Sequence, residues 1–322
     1  MGLSLKILLL TLLMNLSSAH ADVSVTTYNM GQLSSWGFDF VACTSQRVDP
    51  QMHAIFKDPN SPIKRSDKFV LFIQEAWTWK VFRHLERFSD KHGYKMYPKN
   101  FNLLKNNGQV TITNMKPLQV TFHPYSIDKQ SNKGMLYMKL DLGNGKTLGA
   151  LNVHTGYSDA YKASDLHLEH FKEVHASLQK HRSKTDYFVL GGDFNAGPDM
   201  EYRNQRYDSA KTIWFNGLMP YMKSNKMKLI EGINKKTWDG NNSLVNDPPF
   251  IIQLSHFFWN LTFTWDQIDS TIDHIFVSEE VNVKSSSVVF DQPVKLFCYG
   301  REDKDGKLHL SDHYGAHAVL DI

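Results

Sequence analysis

Several hydrophobic stretches of this sequence end in, contain or shortly follow polar side chains that could do chemistry. These side chains are Asn29, Glu75, His154, Asp193, Asn195, Asp273, Asp312 and His313. Taken singly, such residues are usually turn formers, solvated carboxylates or hydrogen-bonded structural histidines. Taken together, the carboxylates and amides supply the hard oxygen ligands that suit Mg²⁺, and the histidines and further aspartates supply acid–base groups. The set predicts divalent-metal-assisted hydrolysis of a phosphoester.

The elements that must position these side chains are short β-rich runs bounded by polar turns. The predicted strands are Val23–Tyr28, Lys68–Gln74, Gln109–Thr113, Met135–Leu140, Thr147–Val153, Tyr187–Leu190, Thr271–Val277 and Ala316–Leu320. Helical periodicity is present over Thr78–His92 and Ser164–Lys180, each with apolar residues on one face. Strands mixed with substantial helices favour a layered α/β fold.

Composition sets the class of the protein. The chain has 322 residues, of which 41% are hydrophobic and 21% charged. A chain of this size can bury a large core, and the composition excludes disordered, collagenous and disulfide-scaffold proteins. Its 36 Lys and Arg against 33 Asp and Glu leave a net charge of +3, too small to argue for nucleic acid from bulk electrostatics. No repeat or linker divides residues 22–322, which predicts a single domain there.

Residues 1–21 are expected to lie outside the fold. A lone lysine, a short apolar run and the sequence Ala19-His20-Ala21 are typical of a secretory signal with its cleavage site. The run is far shorter than the roughly 20 residues that span a bilayer. We therefore expect a secreted or periplasmic protein. In such an oxidising compartment Cys43 and Cys298 could pair, with two buried thiols as an equal alternative.

The polar side chains sit in six short motifs. They are TYN at Thr27–Asn29, QE at Gln74–Glu75, NVH at Asn152–His154, GDFN at Gly192–Asn195, IDHIF at Ile272–Phe276 and SDH at Ser311–His313. In type and order they resemble the motifs of the endonuclease/exonuclease/phosphatase superfamily, which includes deoxyribonuclease I, abasic-site endonucleases, inositol phosphatases and neutral sphingomyelinases. The resemblance implies a four-layered α/β/β/α sandwich, in which two mixed sheets pack face to face with helices outside. It also implies a divalent-metal site at one edge.

The resemblance assigns the metal and the attacking water to five of these side chains. Glu75 and Asn29 would hold Mg²⁺ or another divalent ion, with Glu75 the more direct ligand. Asp312 could contact metal-bound water or a second ion. Asp193 and Asn195 would position the attacking water and a phosphate oxygen.

The remaining roles concern protons. The resemblance makes His313 the general base, or the group that stabilises the pentacovalent transition state, with Asp273 orienting its imidazole. His154 would stabilise or protonate the leaving oxygen. The chain departs from the family pattern at His274, where tyrosine is common, and at Thr155, where leucine is common. Neither change removes a chemical group.

Two further segments concern the substrate. Ser131–Tyr137, which contains Lys133, resembles the NKG-containing strand start of secreted bacterial sphingomyelinases, and Thr237–Leu244, which contains Asn242, resembles a segment near the site of neutral sphingomyelinases. Lys133 and Asn242 are therefore candidate substrate contacts, although a solvated lysine and a turn-capping asparagine are open alternatives. The small net charge also suits a zwitterionic lipid better than a polyanion. Together these features predict a Mg²⁺-dependent phosphodiesterase that converts sphingomyelin to ceramide and phosphocholine.

A lipid hydrolase must also contact a phospholipid membrane surface. Pro248–Trp265 carries six aromatic residues and no formal charge, which fits either buried core or a surface that enters the lipid interface. Val288–Tyr299 is a second candidate for membrane contact. Two other functions stay open: a secreted deoxyribonuclease-type endonuclease acting on nucleic acid, and an inactive binding or accessory protein on the same fold. No protein partner is inferred.

Overall fold

The computed structural model describes residues 22–32, 34–35, 38–39, 41–101, 106–127, 132–143, 145–156, 163–198, 213–233, 236–246, 270–298 and 302–322. The predicted signal sequence and the aromatic segment Pro248–Trp265 lie outside the described residues. Within the described part of the chain, no helix is both long enough and apolar enough to span a membrane.

The strands and helices are numbered in chain order. The strands are β1 (Asp22–Asn29), β2 (Ser34–Ser35), β3 (Phe38–Asp39), β4 (Lys68–Gln74), β5 (Lys95–Tyr97), β6 (Val110–Thr113), β7 (Lys116–Pro124), β8 (Gly134–Gly143), β9 (Lys146–His154), β10 (Tyr187–Asp193), β11 (Met227–Leu229), β12 (Asp273–Ser278), β13 (Asn282–Val289), β14 (Val294–Lys295), β15 (Lys307–Leu308) and β16 (Gly315–Asp321). The α-helices are α1 (Thr44–Met52), α2 (Trp79–Lys91), α3 (Ala163–His181), α4 (Met219–Ser224) and α5 (Ser243–Asn246).

Two six-stranded mixed sheets dominate the described residues. The first has the order β13-β16-β1-β4-β6-β5, and the second has the order β11-β12-β10-β9-β8-β7. Each holds one parallel pair near its centre, β1 with β4 and β9 with β10, and its other neighbours are antiparallel. The carboxyl ends of each central pair therefore lie at one edge of its sheet.

The core lies between the two sheets and on their outer faces. Val25 and Phe72 of the first sheet pack with Met138, Ala150 and Val189 of the second in one buried cluster. Such strands are covered on both faces, which explains why β4 is an almost continuous apolar run. The two sheets pack closely where Gly191 of β10 faces Phe72 of β4, because a Cβ atom on Gly191 would lie only 2.7 Å from the Phe72 ring.

Helices cover the outer face of each sheet. Val81, Phe82 and Leu85 of α2 join the cluster that covers the first sheet, and Phe171 and Val174 of α3 join the cluster that covers the second. The helix α2 starts where expected, because the Thr78 hydroxyl accepts a hydrogen bond from the Val81 amide at 3.3 Å. The layers therefore follow the order helix, sheet, sheet, helix, which confirms the predicted four-layered sandwich.

Cys43 and Cys298 form a disulfide, which decides the alternative that the sequence left open. Their Cα atoms are 5.9 Å apart, and 255 positions separate them in the chain. The bond ties the residue before α1 to the segment that follows β14. Both cysteines pack in a small apolar cluster with Leu244 and Leu308.

Candidate functional site

The predicted site residues converge because the strands that carry them end at the same edges. Asn29 is the last residue of β1 and pairs in register with Gln74, the last residue of β4. On the second sheet, Asp193 at the end of β10 lies opposite both His154 and Asp273. The Asn29 side chain donates a hydrogen bond across the sheets to Asp193 Oδ2 at 3.0 Å. One bond therefore joins the functional edges of the two sheets.

The buried side-chain amides of Gln74 and Asn152 link the two sheets next to this bond. Gln74 Nε2 donates to Asn152 Oδ1 at 2.8 Å, and Asn152 Nδ2 donates to the Ile73 carbonyl at 3.1 Å. Both side chains are fully buried, so each unmade bond would carry a desolvation cost. The QE and NVH motifs thus contain a structural residue beside each chemical one.

Asp273 and His313 form a buried pair. Asp273 Oδ2 lies 2.8 Å from His313 Nδ1, and the Thr237 hydroxyl accepts from the Asp273 amide at 3.1 Å. Burial alone would lower the pKa of His313, but the adjacent Asp273 carboxylate outweighs it and raises that pKa to about 10. The imidazole is therefore positively charged at neutral pH in the metal-free protein. Its Nε2 atom lies 3.5 Å from the side-chain nitrogen of Asn29.

Asp193 accepts hydrogen bonds on both oxygens. The Asn195 amide N–H donates to Oδ1 at 2.8 Å, and the Asn195 side chain donates to Oδ2 at 3.3 Å. Asn195 reaches this position with φ = 46°, a left-handed conformation that asparagine tolerates well. Burial and the nearby Asp273 raise the pKa of Asp193 to about 6. The carboxylate is therefore mostly ionised at neutral pH, and a small fall in pH would protonate it.

His154 is buried at the centre of the edge, and neither ring nitrogen has a hydrogen-bond partner among the described residues. Its Nε2 atom lies 3.6 Å from Asp193 Oδ2 and 3.8 Å from Glu75 Oε1. Burial, together with Lys133 and His313, holds the pKa of His154 well below its usual range. A neutral imidazole with unpartnered nitrogens is available to a ligand.

Glu75 and Asp312 are two further acids of the site, and their charges interact. Glu75 has φ = 57° and a side chain 17% exposed. Burial and the charge of Asp312 raise the pKa of Glu75 to about 7. The Asp312 carboxylate lies over Gly31, where a Cβ would come within 2.2 Å of Oδ1, so only glycine fits.

Comparison with known proteins identifies the family. A family model described as Endonuclease/Exonuclease/phosphatase matches residues 26–313. The chain belongs to this family. No curated protein sequence matches the chain significantly.

Solved structures agree with this membership. Sphingomyelinase C from Streptomyces griseocarneus is 15% identical, with 92% of this chain and 99% of that chain covered and a TM-score of 0.60. Beta toxin from Staphylococcus aureus is 19% identical, with 92% and 98% covered and a TM-score of 0.57. TDP2 from D. rerio, solved with a single-strand DNA product, is 15% identical, with 94% and 99% covered and a TM-score of 0.57. These likenesses establish the shared fold.

The donor set of this Endonuclease/Exonuclease/phosphatase chain fits a hard divalent cation. Glu75 and Asp312 repel each other in a buried setting, which a cation between them would relieve. Asn29 Oδ1 accepts from the Gly31 amide at 3.0 Å and keeps a second lone pair.

A second group of three ligand atoms, from Asp193, Asp273 and His313, lies within 4.8 Å of one another. We favour Glu75, Asp312 and Asn29 as the ligands of a hard ion. Asp273 and His313 already form a hydrogen bond with each other, and Mg²⁺ prefers oxygen ligands to imidazole nitrogen.

The two candidate substrate contacts differ in position. Lys133 Nζ donates to the Thr155 carbonyl at 3.1 Å, and its charge acts on Glu75, Asp193 and His154. Lys133 and the His313 imidazolium are the two neighbouring cations whose charges act on all three of these groups. Asn242 is instead fully buried, and its side chain donates to the Ser311 carbonyl at 2.8 Å. This position indicates that Asn242 supports the backbone of the SDH motif, and it argues against the predicted contact with substrate.

Some contacts of the site were not predicted, although Trp238 and Ser311 lie in the predicted Thr237–Leu244 segment and SDH motif. The Trp238 ring packs edge-on against His313 at 4.9 Å, and the Ser311 hydroxyl donates to the Asn29 carbonyl at 2.7 Å. Arg47 and Gln51 reach the same region from α1. Nothing in their local sequence distinguishes them from surface residues.

Proposed function

We propose that this chain is a secreted, Mg²⁺-dependent phosphodiesterase that hydrolyses sphingomyelin to ceramide and phosphocholine. The observation that carries the proposal is the position of Lys133. This residue belongs to the segment that resembles bacterial sphingomyelinases, and it is the lysine whose charge acts, together with His313, on Glu75, Asp193 and His154. A single lysine there suits one phosphodiester with a zwitterionic headgroup.

The attack on phosphorus is assigned to the second sheet. Asp193, ionised above a pKa of about 6, accepts a hydrogen bond from the attacking water and then its proton. Asn195 fixes the orientation of this carboxylate through its two bonds to it. Glu75, Asn29 and Asp312 would hold the divalent cation, which would neutralise the charge on the phosphate oxygens.

The transition state is assigned to the two histidines. With its pKa raised to about 10, His313 is an imidazolium, which favours stabilisation of the pentacovalent phosphorus over the alternative role of general base. Asp273 keeps the ring in place and charged. The neutral His154 donates an N–H hydrogen bond to the leaving ceramide oxygen, because its nitrogens have no other partner among the described residues. As the P–O bond breaks, the ceramide oxygen takes a proton from solvent, and Asp193 afterwards returns to solvent the proton that it accepted from the attacking water.

Two features support a lipid rather than a nucleic acid. A nuclease that grips several phosphates normally clusters Lys and Arg, whereas this chain has a net charge of only +3. Phe297, within the segment predicted to contact a membrane, is 73% exposed just after β14. The disulfide supports export to an oxidising compartment.

Hydrolysis of sphingomyelin vesicles and nicking of plasmid DNA, each with Mg²⁺ and with EDTA, test the proposal. We expect phosphocholine release that needs Mg²⁺, with intact plasmid. Nicked plasmid with intact lipid would instead make the chain a deoxyribonuclease-type endonuclease; TDP2 from D. rerio, a structural neighbour, was solved with a single-strand DNA product. Inactivity on both would favour a binding protein.

A further inference from the structure

Arg47 is fully buried on α1, outside every motif of the site. Its guanidinium donates to the carbonyls of Ala42 at 2.8 Å and Leu310 at 2.6 Å. It also donates to the carbonyls of Met30 at 3.2 Å and of Gly31. Carbonyl dipoles that converge on a planar fork suit a buried arginine, whose donors are fixed in direction.

Gln51, one helical turn further along α1, repeats the same contacts. Its side-chain amide donates to the Met30 carbonyl at 2.8 Å and to the Leu310 carbonyl at 2.6 Å. Gln51 is fully buried, and its own carbonyl accepts from the Gln32 side chain at 2.7 Å. Residues four apart share one helix face, so Arg47 and Gln51 act on the same two chain segments.

These two segments carry Asn29 and Asp312, two of the three side chains proposed to bind the cation. Met30 and Gly31 directly follow Asn29, and Leu310 lies two residues before Asp312. The first segment in turn reaches Glu75, because the Gln32 amide donates to the Glu75 carbonyl at 3.2 Å. A single helix face therefore holds the backbones that present Asn29, Glu75 and Asp312.

We propose that Arg47 and Gln51 are positioning residues that set the spacing of Asn29, Glu75 and Asp312 for the divalent cation. We call the pair the α1 clamp. The inference rests on the proposed metal-dependent hydrolysis and deepens it, since it assigns cation affinity to residues that do not touch the cation. Such supporting contacts commonly change metal affinity by about 10–100-fold.

The test compares Gln51→Met and Arg47→Lys with the wild type and with Arg87→Met, a substitution on the exposed face of α2. Mg²⁺ affinity is measured by calorimetry and by the Mg²⁺-induced rise in Tm. Hydrolysis of bis(p-nitrophenyl) phosphate, a generic phosphodiester, measures activity. We expect each clamp variant to raise the Mg²⁺ dissociation constant by about tenfold, and Arg87→Met to leave it unchanged.

Hydrogen exchange adds a readout that needs neither metal nor substrate. Amides of residues 29–32 and 310–313 should exchange faster in Gln51→Met than in the wild type, with α3 unchanged. A lower Tm with wild-type Mg²⁺ affinity and wild-type exchange at these residues would reduce the clamp to a structural role and overturn the inference. If the wild-type protein binds Mg²⁺ but cleaves no phosphodiester, the proposed activity is refuted. The role of the α1 clamp is still tested, because the Mg²⁺ affinities of the variants can be compared without activity.

Discussion

At the scale of single residues, Asp273 sets the charge state of His313. The two side chains meet at 2.8 Å in a buried setting, so the carboxylate favours the imidazolium. In Asp273→Asn the pKa of His313 should fall, and the rate of phosphodiester hydrolysis should fall by about 10⁴, as when the orienting aspartate of a triad is amidated. Proton NMR titration of the imidazole and initial rates measure the two effects. Asp90→Asn, on the exposed surface of α2, is the matched control, and an unshifted imidazole would contradict the assignment.

Glu75 provides a second prediction at this scale, about stability and pH. Because the pKa of Glu75 is raised to about 7, the folded protein binds a proton there more tightly than the unfolded chain does. Stability from this group is present at low pH and is lost as the pH rises through about 7. In EDTA, Glu75→Gln should therefore have the Tm of wild type near pH 5 and a higher Tm at pH 8. Excess Mg²⁺ should stabilise only the wild type, and a constant Tm difference across this pH range would refute the prediction.

The convergence of the candidate site residues was predictable because their types form ordered motifs. In the structure the Asn29 side-chain nitrogen lies 3.0 Å from Asp193 Oδ2 and 3.5 Å from His313 Nε2. The residues that support these side chains were not predictable. Arg47 and Gln51 occur in a polar stretch, and only the tertiary fold makes them buried. Side chains that act through backbone carbonyls leave no pattern in a sequence.

At the scale of elements, the central strands were predictable and the edge strands were not. The strand β4 was predicted at its observed bounds because burial on both faces demands a continuous apolar run. The edge strands β7 and β13 are missing from the prediction. Most of their side chains are exposed or partly exposed, and their apolar residues, such as Leu118, Val120 and Phe122 in β7, are separated by polar ones and form no continuous run. The helix α1 is missing too, because its buried face includes polar residues and its interior contains Pro50.

The segment around β14 and β15 gives a prediction about membrane contact. Phe297 follows β14 and is 73% exposed, and an exposed aromatic ring is favoured at a lipid interface. Phe297→Ser should weaken binding to sphingomyelin-containing vesicles by on the order of tenfold, from the lost burial of one aromatic ring. Vesicle co-sedimentation measures binding, and hydrolysis of bis(p-nitrophenyl) phosphate should be unaffected. Leu118→Ser, an exposed apolar position 49% accessible on β7, should bind as wild type, and equal loss in both variants would argue against a specific contact.

At the scale of the whole molecule, the disulfide joins α1 to the segment that leads through β15 towards Asp312 and His313. Cys43 lies next to the first residue of α1, and the Arg47 amide donates to the Cys43 carbonyl at 3.0 Å. Cys298, at the other end of the bond, packs with Leu308 in the same apolar cluster. The crosslink therefore restrains the helix that carries the clamp relative to the segment that the clamp holds.

Removal of this crosslink should affect stability and the site together. A bond that closes a separation of 255 residues restricts the unfolded chain strongly, and loss of such a bond typically costs about 2–5 kcal/mol. Cys43→Ser/Cys298→Ser should lower the free energy of unfolding by that amount in urea titrations. If the crosslink also holds α1 in place, this variant should need more Mg²⁺ for half-maximal hydrolysis at temperatures where it is fully folded. Reduced stability with an unchanged Mg²⁺ requirement would show that the clamp keeps its position without the disulfide, and that the bond contributes to stability alone.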